Sequence, residues 1–274
     1  MEKVWHPDRG WQKNLILNVA VRHCHGDYLI FCDGDTIPRR DFIESHLKHA
    51  RPRTFLSASA IDVPKHVYDN FTDSHITDNQ IFKPSFLARG WPESNKHSLR
   101  LQPGRLEKTL NLITWRYCVL RGANFSLWRD DIESVNGFDE SYGYGSEDRE
   151  LGVRLRNTGV ASRWLKFSLI QLHLSHTRTR YRDPNIVQMQ RWKFRKLFFT
   201  QKTQLADGLA TACERSLATP ESQYIHTSEK TWHASRLFFV SSHLNQLLIS
   251  RHYQRGVPPS HCTTLPSSRM STSS

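Results

Sequence analysis

Gly26-Asp27-Tyr28-Leu29-Ile30-Phe31-Cys32-Asp33-Gly34-Asp35 is the stretch on which the reading of this chain turns. Tyr28 to Cys32 is a short unbroken apolar run of β-branched and aromatic residues, bounded by Gly26 and by Asp-Gly-Asp. A strand buried on both faces of a sheet reads this way. Two carboxylates one residue apart, at the carboxyl end of such a strand, stand where open α/β sheets bind their ligands. Gly34 lets the backbone turn there without a Cβ penalty. Hard divalent cations take oxygen ligands and bridge to substrate phosphates, so the expectation is a metal-held diphosphate. The spacing alone carries little: with 15 Asp in 274 residues, roughly one D-x-D arises by chance.

Working outward, Asn14 to His23 has Leu15, Ile16, Val19 and Ala20 at near-helical spacing, which predicts a helix feeding the Tyr28–Cys32 strand. No strand is expected in the first 25 residues, so the strand lacks a parallel neighbour on that side and the chain reads as one without its natural beginning. After Pro38, Asp41 is placed to cap a helix carrying Phe42, Ile43 and Leu47. Phe55 to Val63 reads as one strand. Residues 64–105, with Pro64, Pro84, Pro92 and Pro103, read as a loop-rich excursion of lid or acceptor-side type. Leu106 to Cys118 reads as helical. Ala123, Phe125 and Leu127 alternate with Asn124, Ser126 and Trp128 as in a strand. Asn136-Gly137-Phe138-Asp139-Glu140 is turn chemistry, and Tyr142-Gly143-Tyr144-Gly145 a flexible loop. Ser146 is read as the cap of a helix with Glu147, Asp148 and Glu150 in its first turn, where the helix dipole favours anions. Ser162 to Leu174 reads as a strand ending in His173 and His176.

Composition narrows the class. Lys plus Arg number 38 against 26 Asp plus Glu, a net charge of +12, which favours anionic partners. Arg178, Arg180, Arg182, Arg191, Lys193, Arg195, Lys196 and Lys202 crowd one window; a solvated helix face and a membrane or substrate surface are both open for it. Nucleic acid is not expected as a partner, because no DNA- or RNA-binding motif accompanies the charge. There is no apolar run of eighteen residues and no signal-peptide h-region near Met1. The five cysteines are scattered without C-x-x-C spacing, which fits reduced thiols and disfavours structural zinc. The expected location is cytoplasmic, with peripheral contact to an anionic inner-membrane face. Residues 237–249 are read either as a basic amphipathic helix on a membrane or as core, and the Ser/Thr/Pro-rich end as disordered.

Taken together, the motifs resemble a known family. Gly26 to Phe31 followed by Asp33-Gly34-Asp35 resembles the D-x-D strand of family 2 glycosyltransferases of GT-A fold. Arg121-Gly122-Ala123-Asn124-Phe125-Ser126, Asn136-Gly137-Phe138-Asp139-Glu140, Gly143-Tyr144-Gly145, Glu147-Asp148 and Glu150-Leu151 resemble the acceptor-side motifs of β-1,4-galactosyltransferases and chondroitin-polymerase-like enzymes. The resemblance implies an α/β fold: a GT-A-type, Rossmann-like mixed sheet flanked by helices, lacking its first strands. It would divide into a partial GT-A domain (1–185), a basic helical extension (186–258) and a disordered tail (259–274). It implies that Asp35, with Asp33, holds Mn²⁺ or Mg²⁺ on a nucleotide-sugar diphosphate, and that His176, with His173 second, closes the metal shell. Lys13 and Asn18 would face the donor nucleotide, Asp148 would be the general base and Glu147 would bind acceptor hydroxyls. Tyr142, Tyr144 and Trp164 would offer faces to sugar rings. The expected activity is metal-dependent inverting transfer from a nucleotide-sugar, a UDP-sugar first, to a saccharide or glycolipid acceptor. The alternative is a truncated, non-catalytic relative acting as a binding or assembly partner.

Overall fold

A computed structural model describes residues 2–5, 11–114, 119–176, 183–205, 208–209, 237–243 and 246–251. Of residues 2–5, 198, 237–243 and 246–251, only the backbone is described. The chain forms a mixed α/β fold with two sheets flanked by helices. In chain order the first elements are β1 (Glu2–Trp5), α1 (Lys13–His23), β2 (Tyr28–Asp33), β3 (Thr36–Pro38), α2 (Phe42–His49), β4 (Thr54–Ser57) and β5 (Ile61–Val63). Short helices follow: α3 (Lys65–Tyr68), α4 (Asp73–Thr77), α5 (Pro84–Gly90), α6 (Ser98–Leu101) and α7 (Glu107–Ile113). Then come β6 (Asn124–Trp128), α8 (Arg129–Ser134), α9 (Glu147–Asn157), β7 (Ala161–Trp164), β8 (Gln171–Leu174), α10 (Pro184–Thr200), β9 (Leu237–His243) and β10 (Gln246–Arg251).

The larger sheet has the order β1-β10-β9-β2-β6-β4-β7 and the smaller β3-β8-β5. β2 is the strand expected. Leu29 and Phe31 face one core with α1, while Tyr28, Ile30 and Cys32 face a second with Phe42 of α2. That two-sided burial is why its five apolar residues run without a polar break. β6 lies antiparallel to β2, with Asn124 opposite Cys32, so the residues just before β6 come to the carboxyl end of β2. The ligand-facing edge of the sheet is thereby set.

Several expectations change. A strand does occur near the start, β1, and the neighbour of β2 on that side comes from the far end of the chain: β9 runs parallel to β2, with β10 between β9 and β1. Residues 237–243 and 246–251, in a stretch read either as an amphipathic helix or as core, are thus two strands. Their runs of β-branched and aromatic residues suit a sheet, and at this length periodicity does not separate the two. The basic helix is present as α10 (Pro184–Thr200). Phe55 to Val63 is divided between the two sheets, with residues 58–60 as the crossing point. Residues 64–105 are short helices around their own core of Val67, Ile81, Phe82, Leu87, Trp91 and Leu101, backed by Ile61, Ile170 and Leu172. Neither Asp41 nor Ser146 caps through its side chain. Asp41 is held by Arg39 at 2.6 Å, and Ser146 instead takes a left-handed φ of 73°. Among the described residues no helix is long and apolar enough to cross a membrane.

β6 is buried along its first four residues although Asn124 and Ser126 are polar. Ser126 Oγ meets Tyr28 Oη at 2.7 Å and His46 Nδ1 at 2.7 Å, so a buried polar chain links β2, β6 and α2. Burial pushes the His46 imidazole from 6.5 down to about 3, with the His49 charge adding to it and Asn124 opposing. Folded His46 therefore refuses a proton that the unfolded chain accepts. Stability is expected to fall as pH drops from 6.5 toward 3, since the unfolded state binds more protons in that window. His46→Gln should remove about one proton of slope there, measured as the difference between wild-type and variant urea melts at stepped pH. An unchanged slope would place the titration elsewhere.

Candidate active site

The carboxyl end of β2, the start of β6, the first turn of α9 and one face of the small sheet converge. On that face Thr36, His173 and Asp62 lie side by side across β3, β8 and β5. Leu172, its partners Ile37 and Ile61, and Val63 point the other way, into the helical module's core. The two-residue period of a strand is what delivers an imidazole to one side and leucine to the other.

Asp35, the residue before β3, meets both histidines. Its Oδ2 lies 2.8 Å from His176 Nε2 and 3.3 Å from His173 Nε2. One ligand atom from each of the three lies within 4.8 Å of the others. Burial alone would raise the Asp35 carboxyl. Hydrogen bonds and charge from His173, then His176, overcome this and hold it well below the usual carboxylate range. Its other oxygen, Oδ1, is buried with no hydrogen-bond partner among the described residues. An orphaned carboxylate oxygen is costly, and a cation is what two imidazoles and a carboxylate with a spare lone pair fit. Nδ1 of His173 is 2.8 Å from Asp62 Oδ1, an orienting carboxylate of the kind that fixes a metal-ligating imidazole. Asp62 was missed in the sequence. Its only signal was an acid between Ile61 and Val63 in a short strand.

Lys13, at the first turn of α1, joins the metal-type cluster to the acids of α9. Its Nζ is 2.6 Å from Asp33 Oδ1. Burial would depress the ammonium, but Asp33, then Glu147 and Asp148, more than offset it and hold the charge firmly. Asp33 is engaged by Lys13, and among the described residues the side chains grouped closely enough to share an ion are Asp35, His173 and His176. Asp148 Oδ2 accepts from Gly122 N–H at 3.0 Å and Oδ1 from Arg149 N–H at 2.8 Å. A Cβ on Gly122 would stand 3.3 Å from Asp148 Cβ and 3.7 Å from Lys13 Nζ, so the backbone approaches closely where glycine was read. Glu147 Oε2 accepts from Gly145 N–H at 2.8 Å. Burial, with the neighbouring Asp148 charge, raises the Glu147 carboxyl, while Lys13 and backbone hydrogen bonds pull it back.

Asn18 requires a correction. It is fully buried, and its amide is spent inside the protein: Oδ1 accepts from Phe138 N–H at 2.8 Å, and Nδ2 donates to Phe138 O and Glu140 Oε1, both at 2.9 Å. It clamps the Asn136-to-Glu140 turn and does not face a nucleotide. The same turn is held from α9 by Arg154, buried against Glu150, which donates to Val135 O at 2.6 Å and Gly137 O at 2.7 Å. Tyr142 is buried beneath Lys193 and so is not open to a sugar ring, Trp164 is half-buried against the main core, and Tyr144 stands edge-on to Trp11 with centroids 4.9 Å apart. A mixed-charge groove of about 690 Å³ between the α2 entry and the helical module, lined by Arg39, Asp78, Lys83 and Glu107 among others, involves none of these residues.

Residues 109–179 match the family model described as the N-terminal domain of galactosyltransferase. That span holds Gly122, Glu147, Asp148, His173 and His176. An uncharacterized glycosyltransferase of Bacillus subtilis (strain 168), YfnE, is 26% identical, with 58% of this chain and 47% of that protein in the match. The chain thus spans about half the length of this curated relative. A solved structure, the mannosyltransferase PcManGT from Pyrobaculum calidifontis in complex with GDP-Man and Mn²⁺, overlaps at a TM-score of 0.38 and 14% identity, covering 78% of this chain and 56% of that one. So loose an overlap carries no weight for the site. Both sequence matches fall on glycosyltransferases, and at that level the chain is a glycosyltransferase homologue.

Gly137 has a φ of +73°, and a Cβ there would lie 2.5 Å from both Asn18 Oδ1 and Leu209 Cγ. Gly137→Ala is expected to cost about 2–4 kcal/mol, from left-handed strain plus overpacking, seen as a lower urea midpoint. A variant as stable as wild type would show that the turn is not pinned as described.

Proposed function

We propose that this protein is a metal-dependent, inverting glycosyltransferase of GT-A type, related to family 2, that moves a sugar from a nucleotide-sugar, a UDP-sugar first, to a saccharide or glycolipid hydroxyl. The observation that supports this reading most is the placement of Lys13. Its ammonium lies among Asp33, Glu147 and Asp148, and Asp33 is two residues from the Asp35–His173–His176 cluster. Carboxylates more than a hundred residues apart are therefore gathered around one ammonium. A charged metal-type cluster on one wall and paired acids on the other is the division of labour that inverting transfer needs.

In this reading, Asp148 takes the proton of the acceptor hydroxyl as it attacks the anomeric carbon from the face opposite the leaving diphosphate. The Gly122 and Arg149 amides hold both its oxygens in place. Glu147 accepts hydrogen bonds from neighbouring acceptor hydroxyls. Lys13, already charged and aimed into the cleft, meets the diphosphate. Asp35, His173 and His176 would hold the cation, which supplies Lewis-acid neutralisation of the leaving diphosphate's charge. Two imidazoles beside one carboxylate suit Mn²⁺ better than Mg²⁺, which prefers oxygen and water. The same donor set also serves non-haem iron, but Lys13, the paired acids and the two sequence matches favour transfer chemistry. The intact acid pair and cluster likewise favour an enzyme over a non-catalytic relative.

Asp35→Ala and His173→Ala should each abolish Mn²⁺-dependent binding of a UDP-sugar by calorimetry; retained binding would remove the metal from this cluster. Asp148→Asn should leave donor binding intact and lower kcat about 10²–10⁴-fold, and undiminished turnover would move the base elsewhere. Asp62→Asn should weaken Mn²⁺ binding about 10–100-fold, titrated without any acceptor, whereas an unchanged affinity would leave Asp62 a purely structural neighbour.

A further inference from the structure

α10 has two faces with different chemistry. The inward face closes over the loop that precedes the catalytic acids. Ile186 Cγ2 and Gln190 Nε2 lie 3.4 and 3.7 Å from where a Cβ on Gly143 would stand, and Val187 lies 3.9 Å from the same point on Gly145. Lys193 Nζ sits 5.5 Å over the Tyr142 ring and donates to Ser141 O. Asp183 caps the helix by accepting from Asn185 N–H at 2.8 Å, and Pro184 takes the first turn, where its missing N–H costs nothing. The helix is therefore well started and firmly seated.

The outward face is apolar and cationic at once. Met189, Trp192 and Phe199 are 48%, 63% and 87% exposed, and spacings of three and seven residues put them on one side of the helix. Arg191, Arg195 and Lys196 stand exposed around them, with Lys196 Nζ 5.5 Å over the Trp192 ring. From Pro184 to Thr200 there is no acidic residue. A face that only needed water would not expose an indole, a phenyl ring and a thioether in a row. A second copy of the same face would bring like charges together. A partner made of phosphates alone would leave the apolar row unused. A surface with negative headgroups over an apolar layer satisfies both parts, as for helices that lie in a membrane interface.

We propose that the Met189–Trp192–Phe199 face of α10 docks on an anionic lipid bilayer. The aromatic rings enter at headgroup depth, where an amphipathic ring is most at home, and the arginines and Lys196 meet lipid phosphates. Because the inward face of α10 holds the loop that leads into Glu147 and Asp148, docking brings the acceptor side of the cleft to the bilayer. Resting on the transfer reading above, this points to an acceptor saccharide carried on a lipid.

The test is co-sedimentation of the full chain with phosphatidylcholine vesicles, with and without phosphatidylglycerol. Binding is expected only with the anionic lipid, and weaker in high salt. Trp192→Ala with Phe199→Ala should weaken it about tenfold or more, the order expected from losing aromatic burial. Arg195→Glu with Lys196→Glu should do the same through charge. Trp192→Tyr, which keeps an interfacial ring, should bind nearly as wild type, which separates lost contact from lost fold. Equal binding to neutral vesicles, or binding indifferent to both double variants, overturns the proposal. So does self-association, or binding to a random DNA duplex, that the same variants abolish while vesicle binding is absent. Mn²⁺-dependent UDP-sugar binding is expected to be unchanged in every variant. Vesicle binding without any donor binding would sink the transferase reading alone and leave the docking face standing.

Discussion

A part-buried ammonium among carboxylates is the constraint around which this molecule is arranged. Lys13 stands within reach of acids delivered by β2 and by α9, and without it those acids would repel one another. Charges taken out of water are costly unless paired with good geometry, and here a single cation serves Asp33 directly and Glu147 and Asp148 through space. The first turn of α1 therefore cannot drift relative to the first turn of α9. Both helices lie over the same core with Leu29, Phe31, Phe125, Leu151 and Leu155, so apolar packing and charge pairing demand the same arrangement.

Polar groups inside the protein set the finer geometry. Asn14 and Asn18 reach from α1 to the Asn136-to-Glu140 turn, Nδ2 of Asn14 donating to Asp139 O at 2.6 Å. Arg154 reaches the same turn from α9 and is itself paired with Glu150. Leu209 N–H bonds Asn136 O at 3.1 Å, and Asn136 Nδ2 donates to Leu205 O at 2.9 Å. A short backbone segment is thus recognised from three directions. Such directional bonds, each near-obligatory once buried, fix where α9 begins and hence where Glu147 and Asp148 stand. On the other wall, Asp62 does for His173 what Asn18 does for the turn.

Much of this was legible beforehand, and the reasons are local. β2 could be read because five apolar residues between glycine and acids have few other uses. Glu147, Asp148, His173 and His176 were singled out through the order of motifs, since each alone is an ordinary surface or first-turn residue. The failures are those where one dimension does not determine three. Asn18 sits in the right motif, yet whether its amide points to solvent or to a turn 120 residues away is not written in its neighbours. The strands of 237–251 carry apolar runs that fit helix or sheet equally at that length, and only the open edge of β2 decides. The helical module of residues 64–105 was read as loop because its helices are too short for periodicity to register. Its core becomes visible only when Ile170 and Leu172 arrive from another part of the chain.

The row of Thr36, His173 and Asp62 across the small sheet limits where this chain tolerates added or lost residues. Since the side chains of β8 alternate, inserting one residue before Leu172 would turn leucine toward the Asp35 side and send the imidazole toward the core of Ile61, Val67 and Leu87. A one-residue insertion is therefore expected to be tolerated better in the connections than within β3, β5 or β8. His176, beyond the end of β8 and held to the row through Asp35 and its ring contact with His173, sits on backbone with more latitude to vary.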